Sequence, residues 1–244
     1  MKNNVIKRVA AELRKLQPDT TRAARLCMAG YVSLKRITVR KESRLAQIVA
    51  DAAQGEVIQA ADILLSLVHN PVIEDIVGIF ELLVPDGERK KCGVAYTPLT
   101  VKEMMLYRVL PTNRLPTVFD PACGCGAFLM TAAKIIHDRF HVPYRRIFSE
   151  CLAGSDISAE AIERVKMLAT ILLAENGEAD DVMPGLYCLD MLKHDSIGQI
   201  LKNYPSGFDC VVGNPPYVRF RNMDRPTQKE VRTWKSSAGG NADL

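Results

Sequence analysis

The chain has 244 residues, 48% of them hydrophobic and 25% charged, with a formal net charge of +4. That balance can bury a substantial core and excludes a disordered, fibrous or collagen-like chain. No run approaches about 18 uninterrupted apolar residues, and the charged, amphipathic start lacks the apolar centre of a signal peptide, so a soluble, cytoplasmic protein with no membrane segment is expected.

The first ninety residues read as helices. Val5, Ile6, Val9, Leu13 and Leu16 share one helical face, and Pro18 ends that element. Further helices are expected near 22–36, 42–53, from about Glu56 to Leu67, and over Glu74–Val84, with Asn70-Pro71 as a break. Residues 1–50 hold twelve Lys or Arg against three Asp or Glu, a balance of +9, which leaves the remainder at −5. Such a basic arm suits nucleic acid, and equally suits the solvated faces of ordinary helices.

The character changes at Lys91. The segment from Lys90 to Thr100 is a loop, and Thr100-Val-Lys-Glu103 matches a capping box opening a helix that ends before Pro111. Strands and helices then alternate. Strands are expected at Thr117–Asp120, Cys151–Asp156, Gly185–Asp190 and Phe208–Gly213, and helices at Ala127–Phe140 and Ser158–Glu175, with Tyr144–Glu150 as a loop. This order predicts an α/β fold with a parallel sheet covered on both faces. Two domains follow: a helical one over 1–90 and an α/β one over 91–244.

The seven cysteines, Cys27, Cys92, Cys123, Cys125, Cys151, Cys188 and Cys210, contain no C-x-x-C pair. Reduced thiols are expected, with no metal site, because one residue between Cys123 and Cys125 makes joint chelation awkward.

In a parallel sheet, ligands bind beyond the carboxyl ends of the strands. Four clusters fall there. The first is Asp120-Pro121-Ala122-Cys123-Gly124-Cys125-Gly126-Ala127-Phe128, a glycine-rich turn opening a helix. Its backbone N–H groups could take a pyrophosphate or a carboxylate. The acid at the strand end favours a cationic or amino-bearing ligand, and the third glycine of a dinucleotide fingerprint is missing. The second is Asp156-Ile157, a carboxylate able to hold a ribose diol beside an apolar face; a first-turn helix acid is the rival. The third, Asp190-Met191, could take an adenine amine, with a turn aspartate as its equal alternative. The fourth is Asn214-Pro215-Pro216-Tyr217, directly after a buried strand. Two prolines remove two donors, so carbonyls there act as acceptors; Asn214 adds an amide oxygen and Tyr217 a flat ring. Together they can grip an –NH2 group and stack on the plane that bears it. A plain turn is the competing reading.

Asn-Pro-Pro-Tyr after a strand, with Asp-Pro-Ala-Cys-Gly-Cys-Gly upstream, resembles the S-adenosylmethionine-dependent amino-methyltransferases. The segment Gly93-Val-Ala-Tyr96-Thr97-Pro98 resembles the cofactor-binding segment of adenine-N6 DNA methyltransferases. Gly78-Ile-Phe-Glu-Leu-Leu before Arg89-Lys-Lys-Cys-Gly resembles modification subunits of type I restriction systems and fused restriction–modification enzymes. The likeness covers roughly residues 70–220. It implies a Rossmann-like class I methyltransferase sheet after a helical domain, S-adenosyl-L-methionine as cofactor, and double-stranded DNA as substrate. Specificity and restriction subunits are implied as partners.

By the same resemblance, Tyr96, Thr97 and the turn of Pro121, Ala122, Cys123, Gly124 and Gly126 hold the cofactor's methionine part. Asp120 takes its ammonium, Asp156 its ribose, Asp190 and Met191 its adenine end, with Ile157 and Phe128 packing on it. Asn214, with Pro215 and Pro216, accepts from the target amine, while Tyr217 stacks on a flipped adenine. The resembled sheet has seven strands where four are found here, so a chain cut short at its C-terminal side is expected. Two other readings stand: an Asn-Pro-Pro-Tyr enzyme acting on protein glutamine or RNA, and a non-catalytic module whose basic helices bind DNA or a subunit.

Overall fold

The computed structural model describes residues 2–50, 52–84, 97–193, 195–217, 223 and 225–232. Five helices come first: α1 (Lys2–Leu16), α2 (Thr20–Lys35), α3 (Arg44–Ala50), α4 (Gln54–Leu67) and α5 (Ile73–Leu83). In α1 the expected stripe is the packed one. Ile6, Val9 and Leu13 are buried, and Val5 and Leu16 lean on the same core. Asp19 caps α2 by accepting the Arg22 N–H at 2.8 Å. The stretch near 42–53 is helical only over Arg44–Ala50, where the Leu45 N–H donates to Asp180 at 2.7 Å.

After these come α6 (Leu99–Val109), β1 (Val118–Asp120), α7 (Ala127–Phe140), α8 (Tyr144–Glu150), β2 (Leu152–Asp156) and α9 (Ala159–Glu175). Then follow β3 (Gly185–Cys188), α10 (Ser196–Leu201), β4 (Cys210–Val211) and α11 (Arg225–Val231). Two expectations need correction. The capping box at Thr100 does not form: α6 opens at Leu99 with Pro98 as the cap residue, so Thr100 already lies in the first turn. Tyr144–Glu150 is a helix rather than a loop. Its cap is supplied from a distance, with Glu178 accepting the N–H groups of Tyr144 and Arg145 at 2.9 and 2.7 Å. Tyr144, Ile147 and Phe148 then bury one face of that short helix.

The four strands are shorter than the sequence suggested, but all are parallel, in the order β3-β2-β1-β4. The chain lays β2 and β3 on one side of β1, then crosses back to place β4 on the other. The boundary between β1 and β4 is therefore the topological switch point.

One face of the sheet is deep and the other thin. On the deep face α7 and α9 pack, and the buried side chains of the N-terminal helices join theirs in one continuous cluster. Tyr31 donates to Glu175 at 2.8 Å and Arg164 to Thr20 at 3.0 Å. Both bonds span 144 residues, so α2 lies parallel to α9 in fixed register. The hydrophobic core thus crosses residue 90 without a break. On the thin face Phe119, Ala153 and Ile200 form a small cluster with Tyr187, Tyr204 and Phe208 against it. Phe119 and Phe208 stack there at 4.9 Å.

Candidate active site

Because every strand runs the same way, their carboxyl ends share one edge. Asp120 ends β1 and Asp156 ends β2; Asp190 lies two residues beyond β3, and Asn214 three beyond β4. The sheet itself therefore gathers the four clusters that the sequence scatters over 95 positions.

Asp120 is only 1% exposed, and its Oδ1 accepts the Ala122 N–H at 3.1 Å. Burial pushes its carboxyl up to about 7; the Ala122 N–H opposes that rise, and the charge of Asp156 adds to it. The end of β4 runs directly over this carboxyl, since a Cβ on Gly213 would stand 2.5 Å from Asp120 Oδ1.

The turn after β1 is pinned to β2. Cys123 N–H donates to the Ser155 carbonyl and the Ser155 hydroxyl to the Pro121 carbonyl, both at 2.8 Å. Gly124 takes φ +53, where a side chain would be strained, and the space its Cβ would enter is open. Its N–H donates to Asp156 Oδ2 at 2.9 Å. Gly126 caps α7. Cys123 and Cys125 point inward, and burial pushes both thiols far up, which leaves them neutral. No group of His, Cys, Asp and Glu among the described residues could hold a metal ion.

The other Oδ of Asp156 accepts the Ser158 N–H at 2.9 Å, while Ser158 itself caps α9 through Ala161 N–H. A carboxylate has about four acceptor positions, so two backbone donors fix Asp156 without exhausting it. Ile157 beside it is 72% exposed. Phe128 is buried in the core. Asp190 Oδ1 accepts the Leu192 N–H at 3.0 Å, the turn geometry foreseen as its alternative role, and Met191 leans on the small cluster. Pro121 and Ala122 are half-buried.

At the switch point Asn214 Nδ2 donates to Thr97 Oγ1 at 3.0 Å. Thr97 precedes α6, so a residue upstream of the sheet is brought to the loop after β4. Pro215, Pro216 and Tyr217 are exposed. Tyr96, like Gly93, Val94 and Ala95 before it, lies outside the described residues.

One cluster escaped the sequence reading. At the other end of β4, Asp209 pairs with both terminal nitrogens of Arg114, one at 2.7 Å, and accepts the Thr117 N–H at 2.8 Å. Arg114 and Asp209 are 95 residues apart, and no spacing rule links them. The only signal was an acid placed at the start of an apolar run; the strand itself is half-exposed, with Cys210 buried and Val211 open.

The donor set has a definite chemical character. Carboxylates line the edge at Asp120, Asp156 and Asp190, and open space lies over Gly124. Acids suit an ammonium, a diol and an aromatic amine, and repel a phosphate. S-adenosylmethionine carries all three favoured groups and no phosphate, so the residues present fit it.

RM.Eco57I, a type II restriction enzyme and methyltransferase of Escherichia coli, is 27% identical over 161 residues, covering 48% of this chain and 16% of that protein. Among solved structures, the type IIL restriction-modification enzyme MmeI in complex with DNA superimposes with a TM-score of 0.62 at 13% identity. That likeness covers 99% of this chain and 46% of MmeI. The chain thus spans less than half the length of either protein. The sequence family described as N-6 DNA Methylase matches residues 73–243, from α5 through the whole sheet, and the chain belongs to that family.

Proposed function

We propose that this chain carries the catalytic site of an adenine-N6 DNA methyltransferase from a restriction–modification system. S-adenosylmethionine is the methyl donor, and the acceptor is the amine of an adenine flipped out of double-stranded DNA. The observation that supports this reading is at the end of β4, where Gly213 lies so close to Asp120 that a Cβ would stand 2.5 Å from its Oδ1, and Asn214 follows Gly213 in the chain. The proposed amine acceptor and the proposed cation site would then adjoin on one edge.

The aromatic amine is a poor nucleophile because its lone pair is delocalised into the ring. Asn214 Oδ1 and the Pro215 carbonyl would accept its two N–H groups and favour a pyramidal nitrogen. The lone pair is then aimed in line rather than spread over the ring. Tyr217 would stack on the flipped base and offset part of the few kcal/mol that flipping costs. Asp120 would hold the cofactor's ammonium, Asp156 its ribose and Asp190 its adenine amine, while the turn at Gly124 leaves room for its methionine part. The bound cofactor supplies an electrophilic methyl group. As nitrogen takes that methyl from sulfur, which would leave as a neutral thioether, positive charge would move onto the amine, and the two acceptors would bind it more strongly than they bound the neutral base. The nitrogen then sheds a proton to solvent. Specificity and restriction functions, whether on the same polypeptide or on partner subunits, complete such a system, which would work in the cytoplasm beside the DNA.

Long-read modification sequencing of DNA from cells expressing the chain, alone and with its longest in-frame extension, tests the reading. We expect N6-methyladenine at one motif, abolished by Asn214→Ala. Methylation that persists in Asn214→Ala, or methyl groups found only on glutamine or RNA, would overturn it.

A further inference from the structure

The paired segment of β4 is only two residues long, with Val118 opposite Cys210 and Phe119 opposite Val211. Cys210 N–H donates to the Thr117 carbonyl at 3.0 Å and Val212 N–H to the Phe119 carbonyl at 2.9 Å. A strand this short has little to specify its register. A slip of one residue would turn every side chain to the opposite face. Yet Asn214 must stand at one depth to meet an amine, and only glycine passes over Asp120 at position 213.

The foot of the strand supplies the missing constraint. Asp209 and Thr117 bond reciprocally. The Asp209 carboxylate accepts the Thr117 N–H at 2.8 Å and its hydroxyl at 3.2 Å, while the Asp209 N–H donates to Thr117 Oγ1 at 3.0 Å. Arg114 grips both carboxylate oxygens in fork geometry. An exposed ion pair alone would do little. Here the carboxylate also holds backbone, so it fixes which residue of β4 faces which residue of β1.

We propose that Asp209 is a positioning residue for methyl transfer: latched to Thr117 and Arg114, it sets the register of β4 and thereby the depth at which Asn214 meets its substrate. This rests on the methyltransferase reading above for its chemistry, but not for its geometry.

The test uses the full chain with Asp209→Ala, Asp209→Asn and Arg114→Ala. In Asp209→Ala we expect kcat to fall about a hundredfold, as a displacement of roughly 1 Å at the acceptor would produce. S-adenosylmethionine affinity should stay within about twofold, because β1, which carries Asp120, is also paired on its other side with β2, the strand of Asp156. Asp209→Asn keeps an oxygen for the Thr117 N–H and should recover part of the rate. Hydrogen exchange gives a readout independent of catalysis. The amide of Val212 should exchange at least about tenfold faster in Asp209→Ala, with the β1–β2 amides unchanged. Arg114 is exposed, so Arg114→Ala folds even if Asp209→Ala does not, and it should show the same changes in smaller measure. Unchanged exchange at Val212, or cofactor affinity that falls in step with kcat, would overturn the proposal. If the wild-type chain transfers no methyl group to any DNA, it is the methyltransferase reading that fails, and the exchange data still decide the latch.

Discussion

The side-chain amide of Asn214 donates to the hydroxyl of Thr97 at 3.0 Å, across 117 residues of chain. The bond holds the plane of the Asn214 amide, and in this orientation it leaves Oδ1 as the acceptor for the target amine of the proposed reaction. Thr97→Val keeps the shape of the side chain and removes the hydroxyl. We expect kcat to fall about tenfold, the equivalent of one ordinary hydrogen bond. Thr97→Ser should restore most of the rate. Steady-state methyl transfer with all three chains decides it, and equal rates for valine and serine would show that the hydroxyl is idle.

Asp120 should make cofactor binding depend on pH near neutrality. Its carboxyl is raised to about 7 from an ordinary 3.8, by burial first and by Asp156 in addition. The folded state therefore holds a proton that the unfolded chain has lost across that interval. Its contribution to stability is complete below about 4 and falls away as pH rises toward 7, by on the order of 4 kcal/mol in all. Binding has the opposite sign, since an ammonium is held by the ionised form. Calorimetric titration with S-adenosylmethionine should show affinity climbing from pH 5.5 to about 7 and then levelling. Asp120→Asn should bind weakly, with no slope over that interval, and should melt higher than wild type at pH 8. A wild-type affinity flat from pH 5.5 to 8 would remove Asp120 from the cofactor site.

Gly213 is fixed by contact rather than by turn geometry. A methyl group there would meet Asp120 Oδ1 at 2.5 Å and Pro121 at 3.5 Å. Either the carboxylate moves or β4 does. Gly213→Ala should cost about 1–3 kcal/mol, the usual penalty for overpacking. It should also weaken cofactor affinity and kcat together, unlike the Thr97 variants, which act on kcat. Denaturant unfolding and binding titration measure the two effects.

What the sequence made legible follows from locality. Asp120 and Asp156 each end a strand, and Asp190 and Asn214 follow one within three residues, so each lies close in sequence to its strand and turn. Parallel order then placed them on one edge without any knowledge of contacts. The helix Ala127–Phe140 was foreseen to the residue because its glycine turn and apolar face are local too. What was missed is what distant partners decide. Helix α8 depends on Glu178, 34 positions from its first residue, and the latch at the foot of β4 joins Arg114 to Asp209 across 95. Thr97 was assigned to the cofactor on a resemblance, and its bond to Asn214 had no signature in spacing. The boundary near residue 90 reflects a change of composition, to which the packing of the buried side chains pays no regard.

That continuity of the core has a measurable consequence. Leu13 of α1 is fully buried, in the same cluster as Val118, Leu152 and Val165 of the sheet layer. If helices and sheet share one core, damage to the first must unfold the second. Leu13→Ala should cost about 2–5 kcal/mol through lost burial and the cavity left behind. The loss should appear as a single displaced transition, followed equally by far-ultraviolet circular dichroism and by the loss of cofactor binding on heating. S-adenosylmethionine, if bound at the strand edge as proposed, should then raise the melting temperature of the whole chain. Two resolved transitions, with only the later one moved by the cofactor, would mean that the helical layer is an independent unit docked on the sheet. In that case α2 and α9 would be joined by an interface, with the bonds from Tyr31 to Glu175 and from Arg164 to Thr20 as its polar contacts.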